Sequence, residues 1–312
     1  MSEKVLVLGG TGFVGRNVME ALRKAQVPCV SSSRAEGSDL RDGAQARALL
    51  KRERPSIVVN CAAHVGSLNY VTKQAAEVVV DNTRMILSMY EAVAQESPHT
   101  LIINPIANCA YPSTVNTFEE DRWCDGHLHR SVLPYGSTRR MMWSVAECFQ
   151  MQWGIRSIHL FVPNMYGPYD STDPNKAHAL NALLAKFVKA QATGLDEIII
   201  WGSGIAIREW LYAEDFARIV LFVVRQPNMV GLSEPLNIAQ NFGLSVRELV
   251  GLVLTATGFS GRVAYDHSMP DGAPRKVMDD RRFRKLFPDF RFTPLSEGID
   301  VTRAYYSSLG SY

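Results

Sequence analysis

A short apolar run, Val5-Leu6-Val7-Leu8, breaks into Gly9-Gly10-Thr11-Gly12-Phe13-Val14-Gly15, and a helix-length segment follows at once. The turn satisfies both G-x-G-x-x-G and G-x-x-G-x-x-G spacing. Residues without Cβ atoms let backbone N–H groups and a helix N-terminus approach a pyrophosphate, and the last glycine lets helix and strand pack closely. With a β-run before it and a helix after it, the motif predicts a dinucleotide-binding unit with Gly9, Thr11, Gly12, Phe13, Val14 and Gly15 at the cofactor. An ordinary strand–helix turn is the plain alternative.

The same alternation continues through the first half. Residues 5–8, 29–31, 57–61, 101–104 and 158–162 read as buried strands, and 14–24, 45–54, 82–94 and 136–152 as helices. Repeated strand–helix–strand order with strands apolar on both faces predicts an α/β fold, a Rossmann-type doubly wound parallel sheet with ligands at the carboxyl ends of its strands. After Pro163 the rhythm changes to a Pro/Gly/Asp-rich loop, a helix over 178–190, a strand over 197–201 and then mixed short elements, including the basic stretch 281–285. The expectation is an NADP-binding domain over 1–164, with 209–239 returning to it, and a smaller discontinuous lobe from 165–208 and 240–312 that encloses a cleft.

A composition of 46% hydrophobic and 21% charged residues is that of a globular chain rather than a disordered one. Its 33 basic and 31 acidic side chains leave a net charge of +2, too little field to hold a nucleic acid or an anionic membrane by charge alone. Five cysteines, odd in number, without C-x-x-C spacing or histidines at zinc-finger intervals, argue against a disulfide framework or a metal site. No apolar run approaches the roughly 18 residues of a membrane span, and the first residues lack a signal-peptide core, so a cytoplasmic location is expected.

Where an acidic residue usually takes the free ribose 2′-hydroxyl, the second strand ends Ser31-Ser32-Ser33-Arg34. Hydroxyls and a guanidinium suit a 2′-phosphate, so NADP(H) is expected over NAD(H), with Ser33 and Arg34 in contact. Small residues in Asn60-Cys61-Ala62-Ala63 let a cofactor pass close to backbone at Ala62 and Ala63. Tyr135 and Arg139 stand one helical turn apart; a phenol there can protonate a carbonyl oxygen while the cation favours its ionised form. Taken alone, that spacing equally fits packing.

Several separate blocks then carry a resemblance. Val162-Pro163-Asn164-Met165-Tyr166-Gly167-Pro168, His178 before Leu183-Leu184-Ala185-Lys186-Phe187, Trp201-Gly202-Ser203-Gly204, Arg208-Glu209-Trp210-Leu211 and Pro270-Asp271-Gly272-Ala273-Pro274-Arg275-Lys276 occur in the order found in the extended short-chain dehydrogenase/reductases. Within them the chain resembles the GDP-L-fucose synthase type, NADPH-dependent enzymes that epimerise C3 and C5 of a GDP-4-keto-6-deoxymannose and reduce C4. The resemblance implies Asp39, Leu40, Asn164 and Arg139 as further cofactor contacts. It also implies Lys186, Trp201, Arg208 and Asp271 as ligands of a GDP-sugar, Cys109 and His178 as the proton-transfer pair, and Tyr135 as the proton donor of the reduction. A homodimer through a four-helix bundle built on helices 82–94 and 136–152 is implied too; the second carries Met141, Met142, Val145, Cys148, Phe149 and Met151.

Two positions depart from that pattern: a catalytic serine is replaced by Ala107 and a catalytic lysine by Arg139. Arg139 keeps the charge but neither the compact ammonium nor its capacity to relay protons. A lost hydroxyl donor at the substrate carbonyl weakens either step by about 2–4 kcal/mol unless replaced, and Asn108 and Thr138 are the candidates to replace it. The leading expectation is an epimerase of a GDP-4-keto sugar, with or without reduction. A single-function epimerase or reductase on a related GDP-sugar such as a heptose, and a non-catalytic dinucleotide-binding protein, are the alternatives.

Overall fold

A computed structural model describes residues 4–115, 117–231, 234–269 and 271–310; Pro270, which opens the last sequence block, lies outside the described residues. Six parallel strands form the central sheet: β1 (Val5–Leu8), β2 (Cys29–Ser32), β3 (Ile57–Asn60), β4 (Leu101–Ala107), β5 (Ser157–Val162) and, from far along the chain, β10 (Pro235–Asn237). Their order is β10-β5-β4-β3-β1-β2. The chain leaves β1 to one side for β2 and crosses back for β3, so a crevice opens beyond the carboxyl ends of β1 and β3, where such sheets bind ligands.

Alternation along β1 explains the two helical layers. Val5 and Val7 face a core shared with α1 (Phe13–Lys24) and α7 (Ala213–Arg225), through Val18, Leu22, Phe216 and Val220. Leu6 and Leu8 face a second core shared with α2 (Gly43–Glu53), α4 (Ala75–Glu96) and α5 (Leu133–Trp153), through Leu49, Met89 and Met142. Strands buried on both faces read as apolar runs, as β1 does throughout and β3 does up to Asn60, whose amide is hydrogen-bonded. At the sheet edge β2 is only partly buried, which departs from the expectation of a buried run. α4 begins seven residues before position 82, and β4 runs on through Pro105. The β3 ladder ends at Val59↔Ile103, so this proline falls where β4 pairs with β5 alone.

The remaining elements pack over the carboxyl end of the sheet. β6 (Asn164–Tyr166) pairs with β9 (Trp210–Tyr212), and β7 (Glu197–Trp201) with β12 (Arg262–Asp266). β8 (Ile207–Arg208) lies between β11 (Leu244–Ser245) and β13 (Arg275–Lys276). The helices α6 (Ala179–Thr193), α8 (Val246–Thr257) and α10 (Leu295–Ser308) enclose a third core around Leu184, Phe187, Val253 and Ile299. The basic stretch forms α9 (Arg281–Leu286), whose Phe283 joins the first core with Phe287 and Phe290, so the chain touches the main sheet again after residue 240. α3 (Leu68–Lys73) is a short helix capped by the Ser67 hydroxyl. Among the described residues no helix is long and apolar enough to cross a membrane.

Beneath α4 the sheet buries a row of polar side chains. Asn60 donates to Asn104 (3.2 Å), Asn104 donates to the Tyr90 hydroxyl (2.8 Å), and that hydroxyl lies 2.9 Å from Ser157 Oγ. Linked in this way, these side chains escape the cost of an unmade bond. His159 on β5 is fully buried and both of its ring nitrogens are unpartnered. Burial pushes its imidazole down to about 3, so it stays neutral in the fold. Below about pH 6.5 the unfolded chain takes up a proton here that the folded chain refuses until about pH 3. Stability therefore falls as pH drops through that window, by up to about 1.4 kcal/mol per unit from this residue. In urea titrations between pH 7 and 4, His159→Leu should flatten the pH dependence relative to wild type; an unchanged slope would mean that the unfolded state is not protonated there.

Candidate active site

At the crevice, backbone approaches backbone. Gly9 adopts φ +72°, and a Cβ there would lie 2.9 Å from Ala62 N and Cα, while one on Gly15 would run into the Gly9 carbonyl oxygen. Gly12 caps α1 without a side chain, so the helix N-terminus stays open beside half-buried Ala62 and exposed Ala63, with Thr11 and Val14 on the turn's partly exposed rim. These are the features a pyrophosphate requires, a cradle that any side chain would fill and unsatisfied N–H groups at a positive helix end. A dinucleotide fits the residues present.

Each side chain expected at the adenosine end can now be located. Ser32 points inward, buried and unpartnered, whereas Ser31 and Ser33 both donate to the Glu36 carboxylate (2.7 and 3.0 Å), and Arg34 is exposed. Asp39 is gripped by Arg41, which also reaches Asp81 (3.0 Å); its hydrogen bonds from Arg41 hold the Asp39 carboxyl below the usual range. Leu40 is buried in the second core.

Tyr135 and Arg139 share one face of α5, with the guanidinium 4.6 Å from the centre of the phenol ring. Arg139 is buried and donates to Asn82 Oδ1 (2.8 Å), while its Nε has no partner. Asn82 in turn donates to the His64 carbonyl (2.8 Å), so the cation ties α5 to the loop that follows Ala62 and Ala63. Cys109 lies in the turn after β4, and a Cβ on Gly136 would sit 2.6 Å from its carbonyl oxygen, so α5 rests directly on it. Burial pushes the Tyr135 phenol up; Arg139 pulls it down, and Cys109 and Cys61 add to the rise. Of the two candidates to replace the missing hydroxyl, Thr138 donates to the Tyr135 carbonyl (2.7 Å), whereas Asn108 Nδ2 is buried and unpartnered.

His178 belongs to another wall. It is the N-cap of α6, its ring packs 5.1 Å from that of Phe13 in the glycine turn, and its Nδ1 lies 3.1 Å from the Asp170 carboxylate, which also accepts the His178 N–H (2.7 Å) and Asn181 Nδ2 (2.7 Å). Burial alone would raise the Asp170 carboxyl, but these hydrogen bonds and the His178 charge hold it below its ordinary value. With Nδ1 engaged, Nε2 is the ring nitrogen left for a ligand.

Three of the four expected sugar-nucleotide ligands form one cluster. Asp271 accepts from Ser203 N and Oγ (both 2.7 Å), Arg208 donates to the Asp271 carbonyl (3.0 Å), and Trp201 is 62% exposed where β7 ends beside them. Lys186, on α6, donates to the Ile199 carbonyl (2.6 Å) on the same strand. Asn164 donates to the Glu209 carbonyl (3.3 Å). The Glu209 carboxylate, fully buried, accepts the N–H groups of Gln240 (2.6 Å) and Met278 (2.8 Å), and burial pushes it up to about 7. Sequence reading missed Asp170, Asn82, Glu209 and Lys276. Asp170 stood in a loop without periodicity, and Glu209 and Lys276 lay inside quoted blocks without a role.

A family model described as the NAD dependent epimerase/dehydratase family matches residues 5–239. A curated relative, the probable GDP-L-fucose synthase 1 of Oryza sativa subsp. japonica, is 28% identical over 97% of this chain and 92% of its own. Among solved structures, a GDP-6-OMe-4-keto-L-xylo-heptose reductase from C. jejuni superposes with a TM-score of 0.89 at 21% identity, covering 99% of this chain and 98% of that one. A GDP-L-fucose synthetase from Naegleria fowleri bound to NADP gives 0.87 at 23% identity, covering 99% and 95%.

Because Gly15 faces the Gly9 carbonyl without room for a methyl group, Gly15→Ala should destabilise the fold by about 1–3 kcal/mol. Thermal unfolding measures this, and dinucleotide affinity should fall at least tenfold, by about 1.4 kcal/mol.

Proposed function

The chain belongs to the NAD dependent epimerase/dehydratase family, and from that premise we propose an NADP(H)-binding enzyme that epimerises C3 and C5 of a GDP-4-keto sugar, with or without reduction at C4. One observation carries the reading. Cys109 lies in the turn after β4, under α5, and His178 caps α6 with its ring on Phe13 of the glycine turn, so the two come from different elements around the crevice. A ketone at C4 acidifies the protons on C3 and C5, and one group on each side of the ring can remove a proton and return another to the opposite face. Asp170 holds the His178 ring with Nε2 free for this exchange. Negative charge that builds on the C4 oxygen meets the unpartnered Asn108 amide in place of the hydroxyl that Ala107 lacks.

NADPH supplies a hydride for C4 when bound. Gly9, Thr11, Gly12, Phe13, Val14 and Gly15 would hold its pyrophosphate, Ser33 and Arg34 its 2′-phosphate, and Asp39, Leu40, Ala62, Ala63, Arg139 and Asn164 line its path. Tyr135 would give the proton to the C4 oxygen. Trp201 stacks a guanine, and Lys186 and Arg208 take the diphosphate, with Asp271 fixing the loop between them. Arg139, held by Asn82 and stacked on Tyr135, favours a narrower reading, epimerisation with slow reduction. A related GDP-sugar such as a heptose fits the same chemistry.

We also propose a homodimer through α4 and α5. Of the stripe expected on α5, Met142 is buried and Met141, Val145 and Phe149 pack on the second core, so it narrows to Cys148 and Met151; with Trp153, and with Val80 and Leu87 on α4, these are exposed. Sedimentation should give about twice the 34.7 kDa chain mass; a species at that mass would refute the dimer.

Incubation with a GDP-4-keto-6-deoxy sugar in D₂O, with and without NADPH, tests the reaction. Deuterium should enter C3 and C5, and Cys109→Ser or His178→Asn should slow entry roughly 100-fold, the contribution of one positioned acid or base. Tyr135→Phe should abolish NADPH consumption and spare exchange. Full exchange in the Cys109→Ser/His178→Asn double variant would sink the assignment.

A further inference from the structure

The proposed proton-transfer pair leaves one half-buried cation unused. Lys276, on β13, lines the same pocket as Asn108 and Cys109, together with His129 and Arg275. No hydrogen bond or ion pair to another described residue engages its ammonium, and the residue is half-buried. A buried charge without a partner is costly, and such groups are kept where their charge is used.

We propose that Lys276 is a positioning residue whose ammonium, in the pocket it shares with Cys109, stabilises the negative charge that the sulfur takes on when it acts as a base toward the sugar. This rests on the reaction proposed above for its catalytic meaning, but the pairing itself needs no substrate.

The surroundings of both groups support it. The charges of Lys276 on β13 and Arg139 on α5 act on Cys109, and Cys109 and Cys61, the latter just after β3, act in turn on Tyr135. Burial raises the thiol above its ordinary value; Lys276 and then Arg139 oppose that. For Lys276 burial lowers the ammonium, Cys109 opposes the drop, and Arg208 on β8 adds to it. Without the Lys276 charge the effect of burial would be less opposed, and the thiol would be harder to ionise. When Cys109 ionises, its proton passes to water, and the thiolate then stands near the ammonium that Lys276 already carries. Arg139 cannot substitute, because its guanidinium is fixed on Asn82 and the Tyr135 ring.

A rival use is that Lys276, beside Arg208, binds the diphosphate. Two readouts separate them. The pH dependence of Cys109 alkylation by iodoacetamide, followed by peptide mass mapping, reports the thiolate; calorimetric titration with GDP reports the phosphate site. With Lys276→Met the alkylation midpoint should rise by about one pH unit, GDP affinity should stay within about twofold, and C3/C5 exchange should fall about tenfold at pH 7 and recover at higher pH. Lys276→Arg should restore the midpoint. If Lys276→Met does not fold, Lys276→Gln gives the same reading. An unmoved midpoint, or a large loss of GDP affinity with the midpoint unmoved, overturns the proposal. A shifted midpoint in a protein whose wild type shows no exchange would support the pair while refuting the reaction.

Discussion

The contact on which the molecule depends is made by atoms common to every residue. Gly9 and Ala62 bring the ends of β1 and β3 to within a Cβ's distance of each other, and everything around the crevice is arranged from that approach. The α1 N-terminus opens there, Phe13 carries the His178 loop, and Cys61 and Ala62 lead through His64 to Asn82 and so to Arg139. The cost of glycine in an ordered turn is entropic, and it is repaid only when something must come close to backbone.

Over this platform the second part of the chain is fastened by a buried acid. Glu209 takes N–H groups from residues 240 and 278 while its own backbone N–H donates to the Lys276 carbonyl and its carbonyl accepts from Asn164. A carboxylate without a cation is expensive to bury, which explains why its ionisation is pushed toward neutrality. It also explains how Arg208, Lys276 and Asn164, from three separate stretches of sequence, keep a fixed spacing.

Much of this was legible in the sequence, for identifiable reasons. The glycine turn, the buried strands and the pair Tyr135/Arg139 are local, and spacing along the chain records local geometry faithfully. Helix ends were less so: α4 extends back to Ala75 because its first turns are held by packing rather than by a cap signal. Ser33 and Arg34 were read correctly as lying at the end of β2, but that Ser31 and Ser33 donate to Glu36 depends on a short turn no pattern announced. The partners of known residues were the hidden part. Asp170 beside His178, Asn82 beside Arg139 and Lys276 beside Cys109 are separated by 8, 57 and more than 150 positions, and only folding joins them.

Gly136 also governs how the site moves. With no room for a methyl group between α5 and the Cys109 carbonyl, the turn bearing the thiol and the helix bearing the phenol are in direct mechanical contact. A displacement of α5 along or across the sheet must carry both groups together, so their separation is insensitive to breathing of the crevice. His178, hung from a loop and an acid on the far wall, has no such constraint. Fluctuations therefore widen or narrow the gap between the two walls while leaving the thiol and the phenol rigid with respect to each other.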